Sequence, residues 1–377
     1  MMRIPPRPTR LIIDGRRLDA RRTGVGRYLE VLLGGWVASG LPLEDARLVL
    51  ADRSGLPLVP AIPGLRVEVA GEGLPGLAWE VLALGRRLRP GDLLLAPANL
   101  IPPFWRGPTL LVLHDALMAS RPGDFPRSAR WRFGWRYRSA ARRASLVVVP
   151  SMATAGEVVH HFGVDPSRIR IIPPAVDPRF RPDPIQAEAA RRALGLGDRP
   201  YFLFVGKPSA RRNVPNLVEG FGRFRRDEAA RGFSLVLAGP GIDGRFAGPD
   251  VITLGYVPEP HLPGLYAGAT ALVYPSEAEG FGLPVAEAMA CGCPVVVLQG
   301  GAPAEVAGDA ARWLDSPSPG AIEAAMRRLV AEIPARAPGV AAGLRRAADF
   351  GSSRCAEAVA AAIQELRDLT SLAPEAG

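Results

Sequence analysis

The sequence is poor in the residues that usually build metal centres and redox sites. It has three cysteines (Cys291, Cys293, Cys355), four histidines (His114, His160, His161, His261) and a single lysine, Lys207, among 46 basic residues. No Cys-x-x-Cys pair and no His/Cys cluster at zinc spacing occurs, so a structural metal is not expected. Nor is there a run of about 18 apolar residues free of Gly, Pro and charge, as a membrane-spanning helix would need. Near the start, Arg3, Arg7 and Arg10 precede only Leu11, Ile12 and Ile13 before Asp14. That is too short for a signal-peptide core, and the chain reads as cytoplasmic.

Acidic residues are also in deficit, 37 against 46 basic, for a net charge of +9. A GC-rich coding bias would produce such an arginine excess without functional cause, so charge alone does not argue for nucleic acid, and none is expected as a partner. It does suit anionic ligands or surfaces.

What is present is a globular chain. Its 377 residues correspond to two domains at roughly 150 residues each, and 48% of them are apolar. Short apolar runs bounded by turn residues recur at 10–14, 47–51, 92–96, 109–113 and 146–150, then at 201–205, 234–238, 251–254, 271–274, 294–298 and 312–314. They are rich in Leu, Val and Ile without alternation, as in strands buried on both faces of a parallel sheet. Segments of helical periodicity lie between them, such as Leu217, Val218, Phe221 and Phe224. Two consecutive βαβ domains follow. Five prolines between residues 172 and 184 mark the joint, with a boundary near Phe180. The expected division is 1–178, 179–350 and a C-terminal helical segment 351–377 that could pack on either domain.

The most specific stretch is EAEGFGLPVAEAMACGCPVVV at 277–297, a strand exit, a glycine turn, a helix opened by Pro284 and a second strand. Gly280 and Gly282 would let backbone approach a ligand, and the amides of the following helix start can face an anion. Glu279 in the turn and Glu287 on the helix can share one cleft at the carboxyl ends of the strands. Two glutamates eight residues apart mean nothing by themselves; the whole stretch does. A second station, YFLFVGKPSARRNVPNLVEGF at 201–221, places Lys207, Arg211 and Arg212 in a strand-to-helix loop, where cations would meet a diphosphate. A solvated basic loop is the plain alternative. Gly24 and Gly26 follow the first strand in RRTGVGRYLEVLL, a weak signal alone, and His114 with Asp115 closes the strand LLVLHDAL, where a histidine is more often structural than catalytic.

Taken together these stretches resemble the retaining nucleotide-sugar glycosyltransferases of glycosyltransferase family 4. The resemblance runs from about residue 10 to 365 and is weakest at 40–100, the usual place of acceptor recognition. It implies an α/β GT-B fold, two Rossmann-like domains with parallel sheets facing across a cleft. It further implies catalytic roles for His114, Glu279, Arg211 and Arg212, and donor contacts from Gly206, Lys207, Gly280, Phe281, Gly282, Leu283 and Glu287. In this scheme Glu279 lies by the donor sugar, Glu287 binds the ribose hydroxyls, and Gly24 and Gly26 form the N-terminal glycine loop. The departure is Arg212, which stands where the family usually has lysine. No Asp-x-Asp occurs, which disfavours the metal-dependent GT-A class, so no metal or cofactor is expected beyond the nucleotide-sugar substrate. VGKPSARRN looks most like bacterial mannosyltransferases of polysaccharide assembly, which implies GDP-mannose as donor and a glycan or lipid-linked acceptor.

Two other readings remain open on the sequence. One is a GT-B epimerase or glycosyl phosphorylase; the other is a non-catalytic basic protein of nucleic acid or membrane surfaces. The segment RSARWRFGWRYRSAARR at 127–143 bears on the second. Either its helix buries Trp131 and Trp135 and solvates its arginines, or Arg132, Arg136 and Arg143 with the two tryptophans meet an anionic membrane or the acceptor.

Overall fold

The computed structural model describes residues 10–20, 23–332 and 337–372. The chain divides into two compact units: the described residues up to Ala175 together with those from Gly351 onward, and Val176–Phe350. The division falls three residues before the expected 178. The C-terminal helix Ser352–Leu372 packs against helix Gly24–Ser39 within the first unit.

In the first unit the strands are β1 (Arg10–Asp14), β2 (Ala46–Leu50), β3 (Leu65–Val69), β4 (Asp92–Ala96), β5 (Thr109–Val112), β6 (Leu146–Val149) and β7 (Ile169–Ile171). They form a parallel sheet of order β3-β2-β1-β4-β5-β6-β7. Successive residues of the central strands feed opposite faces. Leu11, Ile13, Leu93, Leu95, Leu110 and Val112 belong to one buried cluster, while Ile12, Leu94, Ala96, Leu111 and Leu113 belong to another. Apolar residues at both parities are therefore required, which is why the runs lack alternation.

The second unit holds β8 (Tyr201–Val205), β9 (Ser234–Ala238), β10 (Val251–Gly255), β11 (Ala271–Tyr274), β12 (Val295–Leu298) and β13 (Ala311–Leu314), in the parallel order β10-β9-β8-β11-β12-β13. In both sheets the strand order reverses beside the first strand of the unit, the topology of a doubly wound Rossmann-like domain. Ligand crevices in such sheets open at the carboxyl ends of strands on either side of that reversal, here β1/β4 and β8/β11.

Two strands have no counterpart among the runs read from sequence, β3 and β7. Both are edge strands. β3 carries Arg66 and Glu68 and has no fully buried residue, and β7 is three residues long with Arg170 at its centre. Edges bury one flank only and carry charge that discourages pairing with another chain, so their hydrophobic signal is weak.

Close helix packing explains one glycine. A Cβ on Gly35 would lie 2.2 Å from the carbonyl oxygen of Ser352, so the helix Gly24–Ser39 can meet the C-terminal helix only where no side chain intervenes. Replacing Gly35 with Ala is expected to lower stability by about 1–3 kcal/mol, the usual cost of overpacking. An unchanged unfolding midpoint in urea would show that the C-terminal helix is not seated there.

Candidate active site

The second unit gathers its charge at the exits of β8 and β11. β11 runs into Tyr274, Pro275 and Ser276, and the chain then turns through Glu279 to Gly282, whose φ of +107° only glycine adopts readily, before helix Leu283–Ala290 begins. Glu279 is held from several sides. Arg212 donates Nε to Oε1 at 2.6 Å and Nη2 to Oε2 at 3.0 Å, a bidentate pair. Tyr274 Oη and Ser276 Oγ donate to Oε1 at 3.0 and 2.9 Å. Arg211 Nη2 stands 3.6 Å from Oε2 while its Nε donates to the Ala278 carbonyl at 2.9 Å. Burial alone would push the Glu279 carboxyl up, but hydrogen bonds and charge from Arg212, with the charge of Arg211, hold it below the ordinary carboxylate range.

Glu287 lies one helix along, only 3% exposed, and accepts from Tyr266 Oη at 2.9 Å. The structure thus brings Glu279, Arg211 and Arg212 together, while Glu287 lies in the same unit on the following helix, bonded to Tyr266. Gly206 follows β8 with φ +151°, and its carbonyl would lie 2.4 Å from a Cβ on Gly239, so the two strand exits pass backbone to backbone. Lys207 is exposed, and its carbonyl accepts from Arg212 Nη1 at 2.9 Å. Gly280 and Phe281 are buried and Leu283 partly so, with the Phe281 ring edge-on to Phe350 at 5.2 Å. Arg212, read from sequence as a phosphate ligand, is here the partner of Glu279. Tyr274, Ser276 and Tyr266 were not singled out from the sequence. The first two stand in the YPS that closes an apolar run, and a polar residue closing a buried strand was the available signal.

In the first unit His114 follows β5. Its backbone N donates to Asn99 Oδ1 at 2.9 Å, and Nε2 lies 2.8 Å from the Pro97 carbonyl. A carbonyl only accepts, so Nε2 carries the proton and Nδ1 is the acceptor nitrogen of a neutral ring. Tyr28 packs edge-on at 5.0 Å. Burial, outweighing the Pro97 hydrogen bond and the charge of Asp115, holds the imidazole below its ordinary value. Gly24 opens helix Gly24–Ser39. A Cβ on Gly26 would lie 2.3 Å from the Arg17 carbonyl, so this glycine serves close loop packing.

Beside these, at the carboxyl end of β1, lies a buried network absent from the sequence reading. Arg16 Nη2 pairs with Asp14 at 2.5 Å and Arg16 Nη1 with Glu80 at 2.6 Å, and Arg136 binds the other oxygen of Glu80. Two of the three arginines expected to face a membrane or acceptor are thereby placed elsewhere. Arg136 points inward to Glu80, and Arg143 donates to the Pro103 and Trp105 carbonyls. Arg132 is exposed with its guanidinium 5.0 Å over Phe133. Trp131 and Trp135 are not buried, being 87% and 75% exposed. The physical reason is Glu80: a buried carboxylate needs a second cation beside Arg16, and supplying it turns Arg136 inward and the tryptophans outward. Among the described residues no three His, Cys, Asp or Glu side chains come together as a metal-ligand set.

Comparison with known proteins accords with this geometry. Two family models match: Glycosyltransferase Family 4 over residues 23–180 and Glycosyl transferases group 1 over residues 186–338. The fold is that of the GT-B glycosyltransferases. Solved structures that share it include the Anabaena protein HepE in complex with UDP-glucose (18% identical, TM-score 0.72, covering 94% of this chain and 99% of that one). Another is sucrose-phosphate synthase from Thermosynechococcus elongatus (18% identical, TM-score 0.74, 96% and 100%). The chain belongs to glycosyltransferase family 4. Curated relatives include the O-antigen chain mannosyltransferase B of Escherichia coli, 30% identical over 227 residues (56% of this chain, 58% of that one). A D-inositol 3-phosphate glycosyltransferase of Kineococcus radiotolerans is 30% identical over 279 residues (66% and 63%). The matches span 58% and 63% of the length of these two curated relatives, less than two thirds of either.

Two measurements check the site. Arg212→Gln leaves a buried carboxylate without its bidentate partner and is expected to destabilise by about 3–5 kcal/mol; the double variant Arg212→Gln with Glu279→Gln should recover part of that loss. A double-variant loss equal to the sum of the losses from Arg212→Gln alone and Glu279→Gln alone would mean the pair is not coupled. For His114, 15N NMR should show the Nε2–H tautomer and a titration midpoint below 6.5. Because the folded value is depressed, the stability contributed by the neutral ring is present above pH 6.5 and falls as pH drops toward the folded midpoint. A midpoint above 6.5 would overturn the burial, and an Nδ1–H signal in the neutral ring would overturn the tautomer.

Proposed function

We propose that the protein is a retaining glycosyltransferase that moves a hexose from a nucleoside-diphosphate sugar to a hydroxyl of a glycan or lipid-linked acceptor. The observation that carries this reading is the arrangement at β8 and β11: one carboxylate, Glu279, ordered by two arginines, and a second, Glu287, buried a helix turn further on. Breaking the anomeric C–O bond puts positive charge on the sugar and negative charge on the departing β-phosphate. Cations fixed beforehand stabilise that charge without reorganising, and Arg212 is fixed by Glu279. Lys207, exposed in the same loop, and Arg211 complete the clamp. Glu287 takes the ribose hydroxyls and Glu279 faces the sugar. His114, in the first unit, keeps Nδ1 as the acceptor nitrogen of a neutral ring.

Attack on the same face as the leaving diphosphate, whose oxygen takes the acceptor's proton, needs no protein nucleophile and gives retention. The donor is proposed to be GDP-mannose, on the similarity to a mannosyltransferase, and the charge neutralisation to be done by side chains without a divalent cation. No described helix is long and apolar enough to cross a membrane, so a lipid-linked acceptor would be met at the surface of an anionic bilayer.

The test is a thermal-shift panel of nucleoside diphosphates and their sugars in excess EDTA. A cognate ligand at about 100 times its dissociation constant adds about 2.7 kcal/mol of stability. GDP and GDP-mannose should give the largest shift, and Glu287→Ala should reduce it. A shift that appears only with magnesium would transfer the charge neutralisation to a metal, and no shift with any nucleotide would sink the reading.

A further inference from the structure

His114 is held at the exit of β5 by a loop that belongs to the neighbouring strand. In the parallel pair β4–β5 the last matched residues are Ala96 and Leu111, and β4 gives way to Pro97, which has no N–H to continue a ladder. On its other side β5 is carried further, Leu113 N donating to the Val148 carbonyl at 2.9 Å. Donors alternate sides along a strand, so the amide of His114 points back toward β4, where the strand has already ended. A side chain answers it: Asn99 Oδ1 accepts from His114 N at 2.9 Å. The same loop turns the Pro97 carbonyl onto His114 Nε2 at 2.8 Å. One loop thus supplies both the missing rung of the sheet and the acceptor that fixes the ring proton.

Reaching back toward β5 requires an unusual backbone. Asn99 has φ +61°, the left-handed region that residues with a β-carbon avoid and that asparagine tolerates better than most. Glycine would take this conformation without strain, so what asparagine adds is its amide. That amide is used at both ends. It is hydrogen-bonded to Tyr137 on helix Trp135–Arg143, and this bond opposes the burial that raises the Tyr137 phenol. Such a direction is the effect of an amide N–H donated to the phenol oxygen, so Nδ2 faces Tyr137 while Oδ1 faces His114. A flipped amide would set its NH2 group against the His114 N–H and lose that bond. Tyr137 therefore fixes which end of Asn99 meets the strand, and Tyr28, edge-on at 5.0 Å, closes in the imidazole ring.

We propose that Asn99 is a positioning residue for His114: it ties the loop after β4 to the exit of β5, keeps the Pro97 carbonyl on Nε2, and so presents the ring as the Nε2–H tautomer with Nδ1 as acceptor. Pro97 alone does not achieve this, because its carbonyl rides on the loop whose distance from β5 the Asn99 amide sets. A proton moved to Nδ1 would lose the Pro97 bond and put a donor where the acceptor stood. Asn99 acts through His114, and no contact of its own with a substrate is invoked. The tautomer follows from the geometry of the first unit alone; the consequence for turnover rests on the proposed glycosyltransferase reading, in which His114 takes part.

The experiment compares the wild type with Asn99→Gly and Asn99→Asp. Glycine adopts the positive φ freely and removes only the amide, while aspartate tolerates it and keeps an acceptor for His114 N. The first readout is 15N NMR of the histidine rings at about pH 8, where His114 is neutral, its signals being those lost in His114→Gln. The wild type should show Nε2–H alone, Asn99→Gly should add an Nδ1–H population, and Asn99→Asp should remove it again. The second readout is release of nucleoside diphosphate from the nucleotide sugar that gives the largest thermal shift, which needs no identified acceptor. There Asn99→Gly should lower kcat about 10- to 100-fold, the cost of a misplaced reacting group, with donor KM within about twofold, and Asn99→Asp should restore most of it. Near-UV circular dichroism checks that both variants are folded. Nε2–H alone in Asn99→Gly, or the same mixture in Asn99→Asp, would overturn the proposal. A mixture in Asn99→Gly with unchanged kcat would leave the positioning standing and defeat instead the part given to His114 in transfer.

Discussion

Both units are governed by one constraint: a parallel sheet covered on both faces has no room for charge except at the ends of its strands. The central strands of each sheet are buried along their length, so each charged or polar side chain that closes them must find a partner in a desolvated place. Asp14 ends β1 and is answered by Arg16. Tyr274 ends β11 and, with Ser276, is answered by Glu279, which in turn requires Arg212. The chemistry-bearing residues are thus placed by the same burial that forms the sheets, and the turns that carry them inherit the sheets' rigidity.

That pairing changes the meaning of the basic loop after β8. An unpartnered arginine in a strand-to-helix turn would sample many rotamers and lose that freedom on binding a diphosphate. Arg212 has already lost it, through two hydrogen bonds to Glu279 and a ring of Tyr274 5.9 Å from its guanidinium. Burial works against the charge on Glu279, and hydrogen bonds and charge from Arg212, with the charge of Arg211 and the Ser276 hydrogen bond, hold its carboxyl below the ordinary range. A lysine at this position could not hold a planar, two-point contact with a carboxylate. The replacement of the family's usual lysine by arginine and the bidentate geometry are therefore one feature.

The fold was legible in the sequence where burial was symmetric, and the site where a residue's neighbours in sequence are also its neighbours in space. Eleven apolar runs mark eleven of the thirteen strands, and the two that escaped, β3 and β7, are edges whose charge is part of how they avoid pairing. Glu279 and Glu287 were visible because a strand, a turn and a helix in one short stretch carry them. Their partners were harder to see: Tyr266 is 21 residues from Glu287 and Arg212 is 67 from Glu279. The role of Arg136 was misread for the same reason. Periodicity alone put it on an exposed face, and only the carboxylate of Glu80, 56 residues away, shows why it turns inward.

Arginine so dominates the cations of this chain that its count carries no information, and its pairing has to be read instead. Most described arginines answer a carboxylate or cap a carbonyl, as Arg10 answers Asp92 and Arg170 answers Glu365. Arg106 and Arg143 differ because they share acceptors with each other and with no acid. Their guanidiniums cap the Pro103 and Trp105 carbonyls, and the Trp105 ring is tied in turn to Thr109 at the amino end of β5, so even these two arginines are held by the backbone that leads into the strand.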